Sequence, residues 1–222
     1  MTEREAERVE AVTMKHLFII NPAAGGKRNR PEDTAALIRG TVTADEDYEI
    51  LRDKQVTVAT NPCSNLKLAS GICDVARLLK EDVSVAIGTD SVSSNNSLDF
   101  LQEIKTMALT SKVRADDPTV ITPKEAMYAA TRAGALAQGR MDTGLLKQGY
   151  KADLIVMRTD VPNMHPVHSM LNNVVYSASG SDIVMTMVDG KVLYRDGEYM
   201  TIDIEQAITE AEKATQDILD RL

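Results

Sequence analysis

Apolar and polar positions alternate between two regimes along this chain, and the change between them falls near residue 144. Before it, short apolar runs are each followed by a turn and a helical pattern. HLFIIN is stopped by Pro22 and the glycines of NPAAGGK, and PEDTAALIRG then opens on Pro and acids and closes on Gly. The pattern returns after the acidic stretch TADEDYEI. VTVAT reads as a buried strand, NPCSNLKLASG as a loop and ICDVARLLKED as a helix, and VSVAIGTD reads as the next strand. Beyond the polar loop SVSSNN, the residues Leu98, Leu101, Ile104, Met107 and Leu109 mark one face of a helix of about four turns. A second helix is predicted from Pro123 through EAMYAATRAGALAQ, ending near Gly139.

After about Gly144 the period shortens to that of strands, in KADLIVMR, NVVYSA and IVMTMVDGKVLYRDGEY. Asp189-Gly190 between two alternating runs is a strong hairpin signal, because both residues tolerate the positive φ that tight hairpin turns demand. The final TIDIEQAITEAEKATQDILDRL is predicted as an amphipathic helix with Asp203 near its start, and the first thirteen residues carry Glu and Arg at helical spacing. The whole is an α/β layer arrangement of βα units, then a small β-rich module and a closing helix.

Composition narrows the function classes. The chain has 222 residues, 43% hydrophobic and 26% charged, enough for one sizeable core or two small ones. A net charge of −8 argues against nucleic acid as a partner, since phosphate recognition needs clustered Lys and Arg. No apolar run reaches the roughly 18 residues a spanning helix needs and the start resembles no signal sequence, so a cytoplasmic, non-membrane protein is expected. Cys63 and Cys73 lack paired CxxC spacing and read as reduced thiols.

Candidate chemistry centres on Asp90, which ends the buried run VSVAIGTD, the position where parallel α/β folds place catalytic groups. A carboxylate there is able to bind a metal ion. The competing reading is a helix cap, for which Asn96 or Ser97 is better placed in sequence. Asn61, Ser64, Asn65 and Ser70 follow the preceding strand and are polar groups suited to a ligand rim or to ordinary turns.

VATNPCSNLKLASG, VAIGTDSVSSNNSLDFLQEI, GLLKQGYKADLIVM and YSASGSDIVMTMVDGKVL together resemble the late part of amidohydrolases, from about Tyr48 onward. The likeness is to the branch that holds methylthioadenosine and S-adenosylhomocysteine deaminases and the triazine chlorohydrolases. It implies a (β/α)8 barrel whose seventh and eighth strands are VTVAT and VSVAIGTD, followed by a β-sandwich. It also implies metal-dependent deamination of an adenosine-type or related heterocycle, with Zn2+ or another divalent ion activating water. Under the resemblance Asp90 corresponds to the final metal ligand and proton acceptor, and Asn61, Ser64 and Asn65 lie near the substrate. The family's HxH pair and its later metal-binding histidines have no counterpart among His16, His165 and His168.

The segment KHLFIINPAAGGKRNRPEDTAALI resembles the opening of diacylglycerol kinase domains, which implies phosphate contacts from Asn21, Gly25, Gly26 and Lys27. The expected architecture is thus α/β, an incomplete (β/α) barrel fragment followed by a small β-sandwich module and a C-terminal helix. Its expected divisions are 1–47 as a foreign N-terminal unit, 48–143 as the partial barrel and 144–222 as the β module. HLFIIN is expected to pair in parallel beside the two barrel strands. Unclosed sheet edges imply self-association. The functional expectation is a hydrolase by family that is inactive alone. The alternatives are a phosphate-binding or scaffold module, and an enzyme completed by a partner chain.

Overall fold

In the computed structural model, which describes residues 17–19 and 45–221, the strands expected from VTVAT and VSVAIGTD are adjacent and parallel. β1 (Leu17–Ile19), β2 (Thr57–Thr60) and β3 (Ser84–Ile87) form one sheet in the order β1-β2-β3, with Phe18 opposite Val58 and Val58 opposite Val85. Leu17–Ile19 of the HLFIIN segment therefore pair in parallel beside the two strands, as expected. Three parallel strands leave the sheet open, consistent with a barrel fragment rather than a closed barrel. The helices expected over residues 1–13 and 31–40, along with His16, Asn21, Gly25, Gly26 and Lys27, lie outside the described residues.

The helices lie on this sheet because they offer apolar or small faces. α1 (Asp45–Asp53) buries Tyr48, and its acidic first turn suits the positive end of the helix dipole. Between β2 and β3 run α2 (Pro62–Lys67) and α3 (Val75–Lys80), the latter capped by Asp74, which accepts from Arg77 N. The α2 segment, expected to be a loop, is helical because Pro62 presets its first turn despite the polar composition. α4 (Val92–Asn95) is one turn, and α5 (Phe100–Ala115) is the long helix of this half.

Asp99 caps α5, accepting from Leu101 N at 3.0 Å and Gln102 N at 3.4 Å, so its start lies past Asn96 and Ser97. Leu98 and Leu109 are exposed, and the buried face of α5 is Leu101, Glu103, Ile104, Met107, Ala108 and Ser111. Full burial of a side chain such as Met107 stabilises by about 1.5–3 kcal/mol.

The helix expected from Pro123 exists in three pieces: α6 (Pro123–Tyr128), a wide π turn over Ala129–Ala133, and α7 (Gly134–Ala137). Thr122 and Glu125 form a reciprocal capping box at its start. Its buried alanines, Ala126, Ala129 and Ala133, let the backbone approach the rest of the core closely. Arg132 is buried in the π turn, donating to Thr143 O at 2.7 Å and Met141 O at 3.0 Å.

The second half holds β4 (Leu154–Met157), α8 (Met170–Tyr176), β5 (Ile183–Val188), β6 (Lys191–Arg195), β7 (Glu198–Tyr199) and α9 (Ile204–Leu219). The strands form one antiparallel sheet, β4-β5-β6-β7, which is the β module expected from the alternation. Asp189 and Gly190 both have positive φ, 50° and 77°, and make the hairpin turn. NVVYSA, expected as a strand, is mostly within α8: Ser169 caps it by accepting from Asn172 N, and Val175 is fully buried. α9 begins at the Asp203 cap, as expected. None of the four strands holds a fully buried residue, and neither does α9.

Candidate functional site

The C-terminal ends of β2 and β3 lie side by side, and the residues that follow them converge. Backbone pairing continues one step past the strands, where Gly88 N donates to Thr60 O at 2.9 Å. Beyond that point the β2 chain turns into α2, which places Ser64 inward, and the β3 chain reaches Asp90. Ser64 is 1% exposed, and its Oγ donates to Asp90 Oδ2 at 2.7 Å. The other carboxylate oxygen, Oδ1, accepts from Ser91 N at 2.8 Å.

Asp90 has a φ of 59°, in the left-handed region that an L-residue enters only at a cost, and Asp is one of the types that tolerate it best. The helix-cap reading of this residue is excluded for the next helix: the cap residue of α4 is Ser91, and no side chain caps that helix. Strained backbone at a strand end, with a partly exposed carboxylate, is an arrangement found at functional sites.

The other three polar residues of the β2 end separate. Asn61 is 4% exposed and lies over Gly88, so closely that a Cβ on Gly88 would stand 2.4 Å from Asn61 Oδ1. Its Nδ2 is buried without a hydrogen-bond partner. Asn65 turns away, to a small cleft shared with Cys73, Met107 and Ser111. Ser70 closes the end of this segment through Ser70 N to Asn65 O at 2.8 Å. The structure thus joins Ser64 to Asp90, sets Asn61 beside them on the strand ends, and leaves Asn65 on a different face.

Two residues that the sequence reading passed over complete this cluster. Asn95 Nδ2 donates to Thr89 O at 2.6 Å and to Glu103 Oε1 at 2.5 Å, and Glu103 Oε2 accepts from Cys63 N at 3.0 Å. A signal was present for Glu103: it occupies the helical phase of Met107 and Ser111, four and eight positions later, which is the buried face.

The sequence model of the amidohydrolase family matches residues 9–193. The chain belongs to the amidohydrolase family. The match begins well before Tyr48 and crosses the segment that resembled a kinase opening. Two sequence readings are thereby corrected: residues 9–47 are not foreign to the family, and the likeness is not confined to the later part of the chain. Short glycine-rich turns after a strand occur in many folds, which is why NPAAGGK misled.

Among its relatives is 5'-deoxyadenosine deaminase of Methanosarcina mazei, 42% identical over 179 residues that make up 81% of this chain and 41% of the relative. Another is 5-methylthioadenosine/S-adenosylhomocysteine deaminase of Dictyoglomus turgidum, 43% identical over 175 residues, 79% of this chain and 41% of that protein. Among solved structures, an adenosine deaminase from Xanthomonas campestris with bound zinc superposes with a TM-score of 0.78 at 30% identity, covering 81% of this chain and 41% of the other. Atrazine chlorohydrolase from Arthrobacter aurescens, complexed with zinc, shares the fold at a TM-score of 0.67 and 23% identity, over 78% of this chain and 38% of its own. The amidohydrolase chain spans about two-fifths of the length of these relatives.

Zinc is bound in that solved relative. In this amidohydrolase the described residues do not fit a complete zinc site. Among them no three or more His, Cys, Asp or Glu side chains are grouped so as to hold a metal ion. Asp90 offers one carboxylate, already engaged by Ser64 and Ser91. His165 precedes a cis Pro166 in the loop before α8, and neither it nor His168 belongs to such a group. No helix among the described residues is long and apolar enough to cross a membrane.

Proposed function

We propose that this chain carries part of the active site of a deaminase acting on adenosine-type nucleosides, and that it does not turn over substrate by itself. The observation that carries the reading is the Ser64–Asp90 pair, held at the ends of two adjacent parallel strands in a chain more than 40% identical to two such deaminases. Asp90 is its reactive carboxylate, in the place of the family's last metal ligand. Ser64 orients that carboxylate. Asn61, with a buried donor still to be matched, is the second substrate-side residue, and Asn65, in the cleft with Cys73 and Met107, is not one of them. Residues 48–143 carry these groups and 144–222 form a supporting β module.

Donor count supports the absence of turnover. A catalytic zinc needs about three protein ligands and an open position. The described residues offer Asp90 and no group of three. The substrate is a small heterocycle, and recognition of its ring falls to groups beyond those on these two strand ends.

Elemental analysis of the purified chain after zinc loading and removal of excess, run with oligomeric mass and ammonia release from 5'-deoxyadenosine and methylthioadenosine, tests the proposal. The expected result is far less than one zinc per chain and no ammonia. One tightly held zinc per chain with sustained ammonia release would overturn the inactive-alone reading. Zinc and activity that arise only in an oligomer would show that copies of the chain complete one another's sites.

A further inference from the structure

Glu103 is a carboxylate 1% exposed on the buried face of α5, an unusual place for a charge. No basic side chain pairs with it among the described residues; its two oxygens are satisfied by donors from the two segments that follow β2 and β3. Oε2 accepts from Cys63 N, in the first turn of α2 and adjacent to Ser64. Oε1 accepts from Asn95 Nδ2, and the same amide nitrogen donates to Thr89 O, adjacent to Asp90. Burying a carboxylate is costly unless each oxygen finds a donor, so the two segments are held where they can supply them. The spacing between those segments is the spacing between Ser64 and Asp90.

We propose that Glu103 is the positioning residue of the Ser64–Asp90 pair, clamping the β2–α2 and β3–α4 segments against α5 through Cys63 N and Asn95. The inference rests on the reading of Asp90 as the site carboxylate. Glu103 touches neither Ser64 nor Asp90 and acts only through their chain neighbours. Its carboxylate is acceptor-only, which suits two facing donors; an amide in its place can serve one of them but opposes the other with a second NH2 group.

Glu103→Gln is therefore an asymmetric lesion. The carboxamide oxygen still accepts from Cys63 N, and its nitrogen faces Asn95 Nδ2. In the purified chain, amide hydrogen exchange at Ser91, Ser94, Asn95 and Asn96 is expected to quicken about tenfold, while Cys63, Asn65 and Leu68 hold their rates. The Asn95 side-chain amide resonances shift, and a crystal structure of the variant shows the Ser64–Asp90 bond lengthened past hydrogen-bond range. Ile104→Val, a core trim on the same helix, serves as the control: it loosens the helix generally and leaves the two arms alike. If Glu103→Gln does not fold, Asn95→Ala breaks the same arm while leaving Glu103 on Cys63, and the same asymmetry is expected.

Unchanged exchange at 91–96, or quickening shared equally by α2 and the β4–β6 strands, would make Glu103 a general stabilising group and overturn the proposal. These readouts need neither zinc nor substrate. Their failure removes the clamp and leaves the deaminase reading standing, whereas zinc retention with ammonia release overturns the inactive-alone reading without altering the exchange pattern.

Discussion

Ser64 Oγ donates to Asp90 Oδ2 at 2.7 Å, so two side chains 26 residues apart join the ends of neighbouring parallel strands. The bond is shielded on the serine side, which is 1% exposed, and ends on a carboxylate that is partly open to solvent. Ser64→Ala leaves that oxygen without its short donor. A loss of about 1.5–3 kcal/mol is expected in urea denaturation, the range for a hydrogen bond to a charged group. A midpoint equal to that of the parent chain would show that the pair contributes nothing to folding.

Gly88 is required by a neighbour rather than by its own backbone. A Cβ there would stand 2.4 Å from Asn61 Oδ1, inside any allowed contact. Gly88→Ala therefore displaces the Asn61 amide, with an expected cost of about 1–3 kcal/mol from overpacking. Gly88→Ala combined with Asn61→Gly should recover part of that loss. Failure of the double variant to recover any would locate the clash elsewhere.

The two thiols differ in their titration and reactivity. Burial pushes Cys73 from 9.0 up to about 11, and burial also raises Cys63, against the hydrogen bond to Thr106 that lowers it. Thiolate is the reactive form, so native Cys73 at pH 8 is expected to alkylate about a hundredfold more slowly than in the unfolded chain. Between pH 9 and about 11 the unfolded chain releases the Cys73 proton while the folded chain keeps it. Stability from this group is thus complete below pH 9 and declines as pH rises through that window. Equal labelling rates in native and urea-unfolded protein would refute the shift.

Asp182 has the opposite sign. Ser179 N donates to its carboxylate at 2.9 Å, and Asn163 Nδ2 and Ser179 Oγ donate as well, lowering its pKa against the effect of burial. A depressed carboxyl contributes stability above its unfolded pKa of about 3.9 and loses it as pH falls through the folded value. Asp182→Asn is expected to cost about 1–2 kcal/mol at neutral pH and to flatten the acid limb of the stability profile. An acid limb with the parent's slope would assign that limb to other carboxylates.

Periodicity made the parallel strands, the α5 face around Ile104 and Met107, the hairpin at Asp189-Gly190 and the Asp203 cap legible. These features are local, or repeat with a fixed spacing. α2 was hidden because its six residues are too few to show a helical period, and Pro62 reads equally as turn or first helical residue. α8 was hidden because Val174 and Val175 favour strands in isolation, whereas the Ser169 cap and the burial of Val175 decide for helix. At the candidate site, the place of Asp90 just past a strand was legible. The Ser64, Asn95 and Glu103 contacts were not, since each joins residues from separate elements and has no sequence period.

The bond from Gly180 N to Asp99 Oδ2, at 3.1 Å across 81 residues, gives one carboxylate two employments. Asp99 holds the first turn of α5 with one oxygen and the turn leading into β5 with the other. Loosening on either side withdraws part of the partner that fixes the other. The first turn of the long helix and the threshold of the antiparallel sheet are thereby expected to breathe together, although the chain between them is long enough to let each move alone.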